Sequence, residues 1–361
     1  MVEHAADYEW RGEGDAGEVV LYAAAERAAL SAFEHLLPAA RLPGVESPVY
    51  GAASPEGIGW VAVSGTHVAP DLVSVPTRGL LLAADAALDD LGVQPGEIER
   101  LIPHRLSEAR RPRLTAAGIR GLCEAGAYGA AEDGLIEEED LHLLGPLPGD
   151  ADAIGGRAIS AGSRDWDLLE EARAHAVGEV LDDRALEGLG LERGTFALVV
   201  TAGAGELGGL ALSGHGERIA TRSRGGDFGA GDDLPAAPAE SEEAADLMAA
   251  LGAAANFADG RAALLVYALR LELGGVAGDL SLRAAWRIGG IEDRDGFLAH
   301  RMNLAAAGEG EVLASGGSVV AGTGKMSGSV PPFGVPEDSL PWEEAGLLER
   351  WAGLDPPEGK S

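Results

Sequence analysis

The residues able to do chemistry in this chain are few and widely spaced. Eight histidines stand at His4, His35, His67, His104, His142, His175, His215 and His300. No two of them form HExxH or another compact metal-binding spacing. His67, in SGTH, and His215, in SGHGE, lie in loop-like sequence, where an imidazole can serve as acid, base or ligand. A single cysteine, Cys123, allows neither a disulfide framework nor a thiolate zinc cluster. Asp165 and Asp167 beside Arg164 offer carboxylates for a cation, although aspartates also favour a helix N-terminus. There is no GxSxG elbow and no Cys–His pairing of the kind hydrolases use.

Two glycine-rich stretches carry the remaining chemical potential. Thr201–Gly208, TAGAGELG, follows the apolar run Phe196–Val200. A buried strand that ends in glycines brings backbone N–H groups close to an anion, and glycine tolerates the positive φ such loops need. The same spacing also suits a plain tight turn after a core strand. The second stretch, AGTGKMSGS at 321–329, holds Lys325 among glycines but lacks the GxxxxGK[ST] spacing of a P-loop.

Charge narrows the possibilities further. Asp and Glu number 59 against 27 Lys and Arg, for a formal net charge of −32. Lysine occurs only at Lys325 and Lys360, so arginine supplies nearly all the positive charge. Such a surface suits a salty cytoplasm, where it keeps a protein hydrated and soluble, and a GC-rich genome produces a similar composition. The field repels nucleic-acid phosphates at low ionic strength, so RNA binding requires a local arginine patch. No stretch approaches the ~20 uncharged apolar residues of a membrane helix. The first residues lack the basic and apolar blocks of a signal peptide, which makes the cytoplasm the expected location.

Hydrophobic content of 46% with 24% charged residues is that of a globular protein, and 361 residues can bury a large core. Residues 1–20 are polar and expected to be flexible, as is the tail 353–361, leaving 21–352 as one large domain. Helical periodicity predicts helices over 22–37, 80–91, 97–106, 115–128, after Ser163 through Ala172 and Ala176, and over 240–273, the last capped by Ser241 and open to a break at Gly260. Strands are predicted over 59–64, 71–75, 196–200, 280–288 and 316–322, with 42–50 extended. The acidic run 137–140 reads as a solvated loop or helix start, 214–238 as a long surface loop, and 342–351 as a short helix. The expected class is α+β, with central β-sheets flanked by helices.

Read in order, several segments resemble the RtcB family of GTP-dependent RNA-splicing ligases. LPGVESPVYG at 42–51 is similar to that family's LPG-(x)-PVYAMPD, and LVSVPTRGLLL at 72–82 takes the place of its VSPGGVGYDINCGVRLL. AISAGSRDWDLLE at 158–170 stands where the family has TLGSGNHFLE. ALEGLGLERGTFALVVTAGAGELG at 185–208 tracks AxAFGLxxGQVVVMIHSGSRGLG. MAALGAAANFADGR at 248–261 mirrors AMxAAANYAWANR, and AGTGKMSGS parallels HGAGRxMSR. The resemblance spans roughly residues 40–330.

The resemblance implies a fold with a ligand cleft, manganese held by Cys, Asp and His, and a histidine guanylylated by GTP that activates an RNA 3′-phosphate for attack by a 5′-hydroxyl. At this chain's matching positions those residues are replaced. Arg78 falls near the cysteine and Val75 near the aspartate. Arg164 and Asp165 replace an Asn-His pair, and Thr201 with Gly205 or Glu206 replaces a histidine and an arginine. A later histidine falls within Trp286-Arg287-Ile288. Ala321 stands at the nucleophile, and its methyl group cannot form a phosphoramidate. The expectation is a catalytically inactive or altered homologue with no cofactor and a remnant phosphate- or nucleotide-binding cleft. Its candidate ligand-binding residues are Arg78, Arg164, Asp165, Thr201, Gly203, Gly205, Asn256, Arg261, Gly322, Gly324 and Lys325. Expected ligands are a nucleotide or an RNA 3′-phosphate, with a protein partner as a further possibility. The alternative is an active ligase, dependent on GTP and manganese, that recruits His67, His215 or His300. A third reading, a structural or regulatory subunit, calls for a large exposed apolar patch.

Overall fold

A computed structural model describes residues 8–14, 17–23, 37–54, 57–92, 95–108, 114–132, 138–162, 171–177, 191–192, 194–226, 228, 234–294, 297–303, 311–314, 317–322 and 325–330. The strands in chain order are β1 (Tyr8–Gly14), β2 (Gly17–Ala23), β3 (Val45–Ser54), β4 (Gly57–Ser64), β5 (His67–Val68), β6 (Thr77–Ala87), β7 (Glu171–Val177), β8 (Thr195–Gly203), β9 (Ala237–Pro238), β10 (Leu280–Ile288), β11 (Gly290–Arg294), β12 (Phe297–Asn303), β13 (Glu311–Ala314), β14 (Gly317–Gly322) and β15 (Lys325–Val330). Among the described residues, besides the helical turn at 37–40, the helices are α1 (Leu88–Leu91), α2 (Pro95–Glu108), α3 (Ala116–Ala125), α4 (Ala127–Glu132), α5 (Ala151–Ile154), α6 (Gly156–Gly162), α7 (Gly205–Arg224) and α8 (Glu242–Ala277).

Helices and chiefly antiparallel sheets make this an α+β protein. A six-stranded sheet has the order β1-β2-β3-β4-β12-β11, and a seven-stranded sheet the order β10-β6-β8-β7-β15-β14-β13. The parallel pairs among them are β2 with β3 and β15 with β7. Helix α8, 36 residues long and so about 54 Å from end to end, lies against β6, β8 and β10. Ser241 caps its start by accepting from the Ala244 N–H at 3.2 Å.

The strand facing α8 is read by parity. Leu80, Leu82 and Ala84 of β6 and Phe196, Leu198, Val200 and Ala202 of β8 join Ala262, Leu265, Val266 and Leu269 of α8 in one buried cluster. Alternate residues of a strand share a face, so Arg78, two residues before Leu80, points at the helix as well. On β10 a bulge between Leu282 and Ala284 inserts one residue, after which Arg287 pairs with Arg78. In a ladder without that extra residue Arg287 would oppose Thr77 and face away from α8.

Several expectations are corrected. Residues 80–87 form most of strand β6 rather than a helix, and only 88–91, closed by Gly92 at φ +64°, are helical. Leu80-Leu81-Leu82-Ala83-Ala84 is buried on both faces, and a continuous apolar run carries no period by which strand and helix differ. Residues 71–75 form a short 3-10 turn at Pro70–Leu72 followed by extended chain. Ala172 and Ala176 lie on strand β7, paired with Val200 and Phe196. The loop expected from Gly214 is helix as far as Arg224, because Leu207, Ala211, His215, Ile219 and Ser223 recur every fourth residue and are buried. Gly260 does not break α8. Its missing Cβ instead admits Leu122, whose Cδ2 would lie 2.7 Å from one. The acidic run contributes Asp140, which is buried and bound by Arg270 at 2.6 and 3.2 Å.

Strands β1 and β2 occupy 8–14 and 17–23, where a flexible start and then a helix were expected. The remainder of the helix expected over 22–37 is outside the described residues up to position 36, as are the helix expected over 342–351 and the tail 353–361. The helix expected over 115–128 is two, α3 and α4, parted at Gly126 with φ +58°, and the other predicted helices and strands occur close to their expected bounds.

Candidate functional site

The middle of α8 carries a charge that its surroundings do not explain from sequence alone. Asp259 is 1% exposed within a helix whose neighbours are alanine, phenylalanine and glycine. A buried carboxylate requires partners, and the opposing strands supply them. Arg78 of β6 donates to Asp259 from Nε at 2.6 Å to Oδ1 and from Nη2 at 2.8 Å to Oδ2, a two-pronged fit that guanidinium geometry favours. Arg287 of β10 donates from Nη2 to the same Oδ2 at 3.0 Å. Two guanidiniums thus share one buried carboxylate.

Two further α8 residues extend the site. Arg261, 2% exposed, donates to the carbonyl of Gly203 at the end of β8, and its guanidinium carbon lies 5.8 Å from the Phe257 ring centroid. Asn256 is fully buried and uses its whole carboxamide on backbone. Its Oδ1 accepts from the Leu147 N–H at 2.7 Å, and its Nδ2 donates to the carbonyls of Leu147 at 2.9 Å and Cys123 at 3.0 Å. Arg287 also donates to the carbonyl of Gly145. A strap of chain over 145–150 is thereby tied across the site.

Beside Asp259 and Arg287 is a narrow cavity of about 10 Å³ walled by Thr77, Leu147, Gly289 and Gly290 among others. That is about the room one water needs. Gly289, at φ +75°, makes the turn from β10 to β11, and a Cβ there would lie 2.5–2.7 Å from the Ser74 Oγ and the carbonyls of Ser74 and Val75.

The strand-to-helix junction after β8 is shorter than the glycine-rich stretch suggests. Thr201–Gly203 is strand, and α7 begins at Gly205, whose φ is +54°. Ala204 donates its N–H to Pro76 at 2.9 Å. Gly208 is required by space, since a Cβ would lie 2.7 Å from Val75 Cγ1 and Ala204 Cβ.

The expected site residues therefore divide. Arg78, Asn256, Arg261 and Gly203 converge on one region. Thr201 opposes Gly79 on the adjacent strand and by parity faces away from α8. Gly205 opens α7. Gly322 and Lys325 pair across the β14–β15 hairpin, which also holds Ala321. Lys325 lies beside Ala176, which lies beside Phe196. Phe196 is five residues from Thr201 on β8, about 17 Å along the strand. The structure thus does not bring the second glycine-rich stretch to Arg78. Arg164, Asp165 and Gly324 are outside the described residues.

Asp259 and Arg287 were not among the expected site residues. The available signal was an aspartate inside the alanine-rich AAANFADGR, a position that demands a cationic partner.

The three histidines of the alternative reading are held by other groups. His300, fully buried, accepts from the Ala69 N–H at 3.1 Å and donates from Nδ1 to the Leu298 carbonyl at 3.1 Å. His215 donates from Nε2 to the Ala153 carbonyl at 2.9 Å and accepts from Arg218 at 2.5 Å. His67 bonds Thr66 Oγ1 at 2.9 Å. Burial lowers its pKa from the ordinary imidazole value, an effect that Glu240 partly opposes. Among the described residues no three His, Cys, Asp or Glu side chains form a group that could hold a metal ion. Also among them, no helix is long and apolar enough to cross a membrane.

No protein-family model matches the chain, and no curated protein matches it at a significant level. Its own residues therefore decide what the site suits. Manganese does not fit the Asp259 centre. The Asp259 carboxylate already accepts three guanidinium hydrogen bonds, and a dication placed there would face two fixed positive charges.

Proposed function

We propose that the chain is an RtcB-like RNA-ligase homologue that has lost GTP- and manganese-dependent joining and works in the cytoplasm as a non-catalytic binding protein. Its remnant ligand site is the Arg78–Asp259–Arg287 centre, and the ligand class is a phosphate group such as that of a nucleotide or an RNA 3′-phosphate. The observation that carries this reading is the pair of arginines sharing one buried carboxylate. In a chain of net charge −32, two arginines held side by side are a local concentration of guanidinium donors of the kind that contact phosphate. A guanidinium also replaces a metal's charge without its Lewis acidity.

Further support comes from the placement of the segments that carry the resemblance. Residues 77–82 and 195–203 are on adjacent strands, Arg287 is on the next strand, and of the 248–261 stretch Asp259 and Arg261 reach those strands through hydrogen bonds. The engagement of His67, His215 and His300 by local partners weighs against their recruitment as a new nucleophile.

Intact-mass measurement after incubation with GTP and manganese tests the loss of chemistry. The expected result is no covalent guanylate. An adduct would overturn the proposal and establish the chain as an active nucleotidyl-transfer enzyme.

A further inference from the structure

We infer that residues 145–150 form a lid over the Arg78–Asp259–Arg287 centre, clipped shut by Asn256 and displaced when an anion reaches Arg287. The inference rests on the reading of that centre as an anion site and specifies how access to it is controlled.

The strap is Gly145-Pro146-Leu147-Pro148-Gly149-Asp150. Its two prolines lack N–H groups and hold the chain extended, so it cannot join a helix or sheet ladder. Among the described residues its backbone hydrogen bonds are few, although Pro148 and Gly149 also lie close against Gly252 and Ala253 of α8. Asn256 binds both backbone groups of Leu147, Arg287 binds the Gly145 carbonyl, and the Asp150 N–H reaches the Ala249 carbonyl at 3.2 Å. Pro146, Pro148 and Asp150 are exposed, and Gly145, Leu147 and Gly149 are half-buried. The flanks differ sharply, because Leu144 is fully buried and Ala151 is 1% exposed. A segment fixed at both ends but held between them by polar clips, with little apolar burial, opens at lower cost than the core around it.

The strap also controls what the centre can bind. Leu147 forms part of the wall of the small cavity beside Asp259 and Arg287. The closed cavity holds about one water, too little for a phosphate. The Arg287 Nη2 that an anion would approach already serves the Gly145 carbonyl and Asp259. A phosphate oxygen at Arg287 therefore competes with Gly145 for the same donor, and winning that competition loosens the strap at one end. Binding and lid opening are two sides of one equilibrium, in which the closed lid lowers the apparent affinity by its population.

Hydrogen exchange on the full chain, with and without inorganic pyrophosphate, tests the lid, and thermal melting in the same buffers reads binding separately. The expected result is that the Leu147 and Asp150 amides exchange at least tenfold faster than those of Asp259–Leu269 in α8, and faster still with pyrophosphate. Asn256→Ala, if it folds, is expected to bind pyrophosphate about tenfold more tightly, because the clip no longer opposes opening. Leu147→Ala is expected to shift binding the same way without removing the clip. Exchange of the strap amides only together with α8 would overturn the lid and leave the anion site standing if pyrophosphate still raised the melting temperature. Rapid strap exchange with no effect of pyrophosphate on exchange or melting would overturn the lid together with the site it guards.

Discussion

Arg78 and Arg287 are direct partners across the antiparallel β6–β10 pair, and both donate to the carboxylate of Asp259. Like charges directly opposed on neighbouring strands destabilise a sheet. Here the cost is offset by an anion delivered from the helix packed above them. The sheet register, the β10 bulge and the position of Asp259 in α8 are thus mutually dependent.

Removal of the shared carboxylate should be severe. Asp259→Ala leaves two guanidiniums in the interior without their counter-ion and is expected to cost about 3–5 kcal/mol in urea unfolding. Replacement of the whole centre, Arg78→Met with Asp259→Leu and Arg287→Met, should cost far less, since apolar side chains of similar volume often substitute for a buried ion network without loss. An Asp259→Ala protein as stable as the parent would show that the network is not closed as described.

Gly252 and Gly149 are where the strap crosses α8. A Cβ on Gly252 would lie 1.9 Å from the Pro148 carbonyl oxygen, and one on Gly149 would lie 2.4 Å from the Ala253 N. Gly252→Ala is therefore expected to destabilise the protein by roughly 1–3 kcal/mol or more, although alanine favours helix elsewhere. Gly274, in the same helix but with no atom within 4 Å of a Cβ, gives the control. Gly274→Ala should stabilise slightly, and equal effects at the two positions in thermal melting would contradict the close crossing.

Cys123 is fully buried, and burial pushes its thiol up to about 12 from an ordinary 9.0. The folded state then holds a proton that the unfolded state releases above pH 9. Its contribution to stability is present below that pH and is lost as pH rises towards about 12. Unfolding at pH 8 and pH 10.5 should show a loss that Cys123→Ser or Cys123→Ala reduces. Native Cys123 should also resist iodoacetamide at pH 8 and react once unfolded. Prompt alkylation of the folded protein would contradict the burial.

The net charge of −32 predicts strong salt dependence. Repulsion among exposed carboxylates is screened over a Debye length of about 3 Å at 1 M salt against 10 Å at 0.1 M. The melting temperature should rise steadily from 0.1 to 2 M potassium chloride. A flat profile would show that the acidic surface is already balanced locally.

Much of the helical frame was legible in sequence because its helices keep their period. The capped start of α8 at Ser241 and the run of α3 are examples. Strand β6 was hidden because Leu80–Ala84 is apolar on both faces. Helix α7 was hidden because glycines at 205, 208, 209, 214 and 216 obscure a four-residue stripe that packing completes. Arg78 and Arg261 were legible as site residues through the resemblance. The pairing of Arg78 with Arg287 depended on a bulge one residue long in β10, and no local property of LSLRAAWRI marks which residue is extra. Likewise, nothing in Gly145–Asp150 announces that Asn256, more than a hundred positions later, holds it down.

The central claim is that an arginine-rich centre binds phosphate without a metal. Calorimetric titration of the full chain with GTP in the presence of a chelator tests it most directly, with the variant carrying Arg78→Met, Asp259→Leu and Arg287→Met alongside. The account predicts binding to the parent chain that the folded variant loses. Binding that appears only when manganese is supplied, or that the variant retains in full, would contradict it.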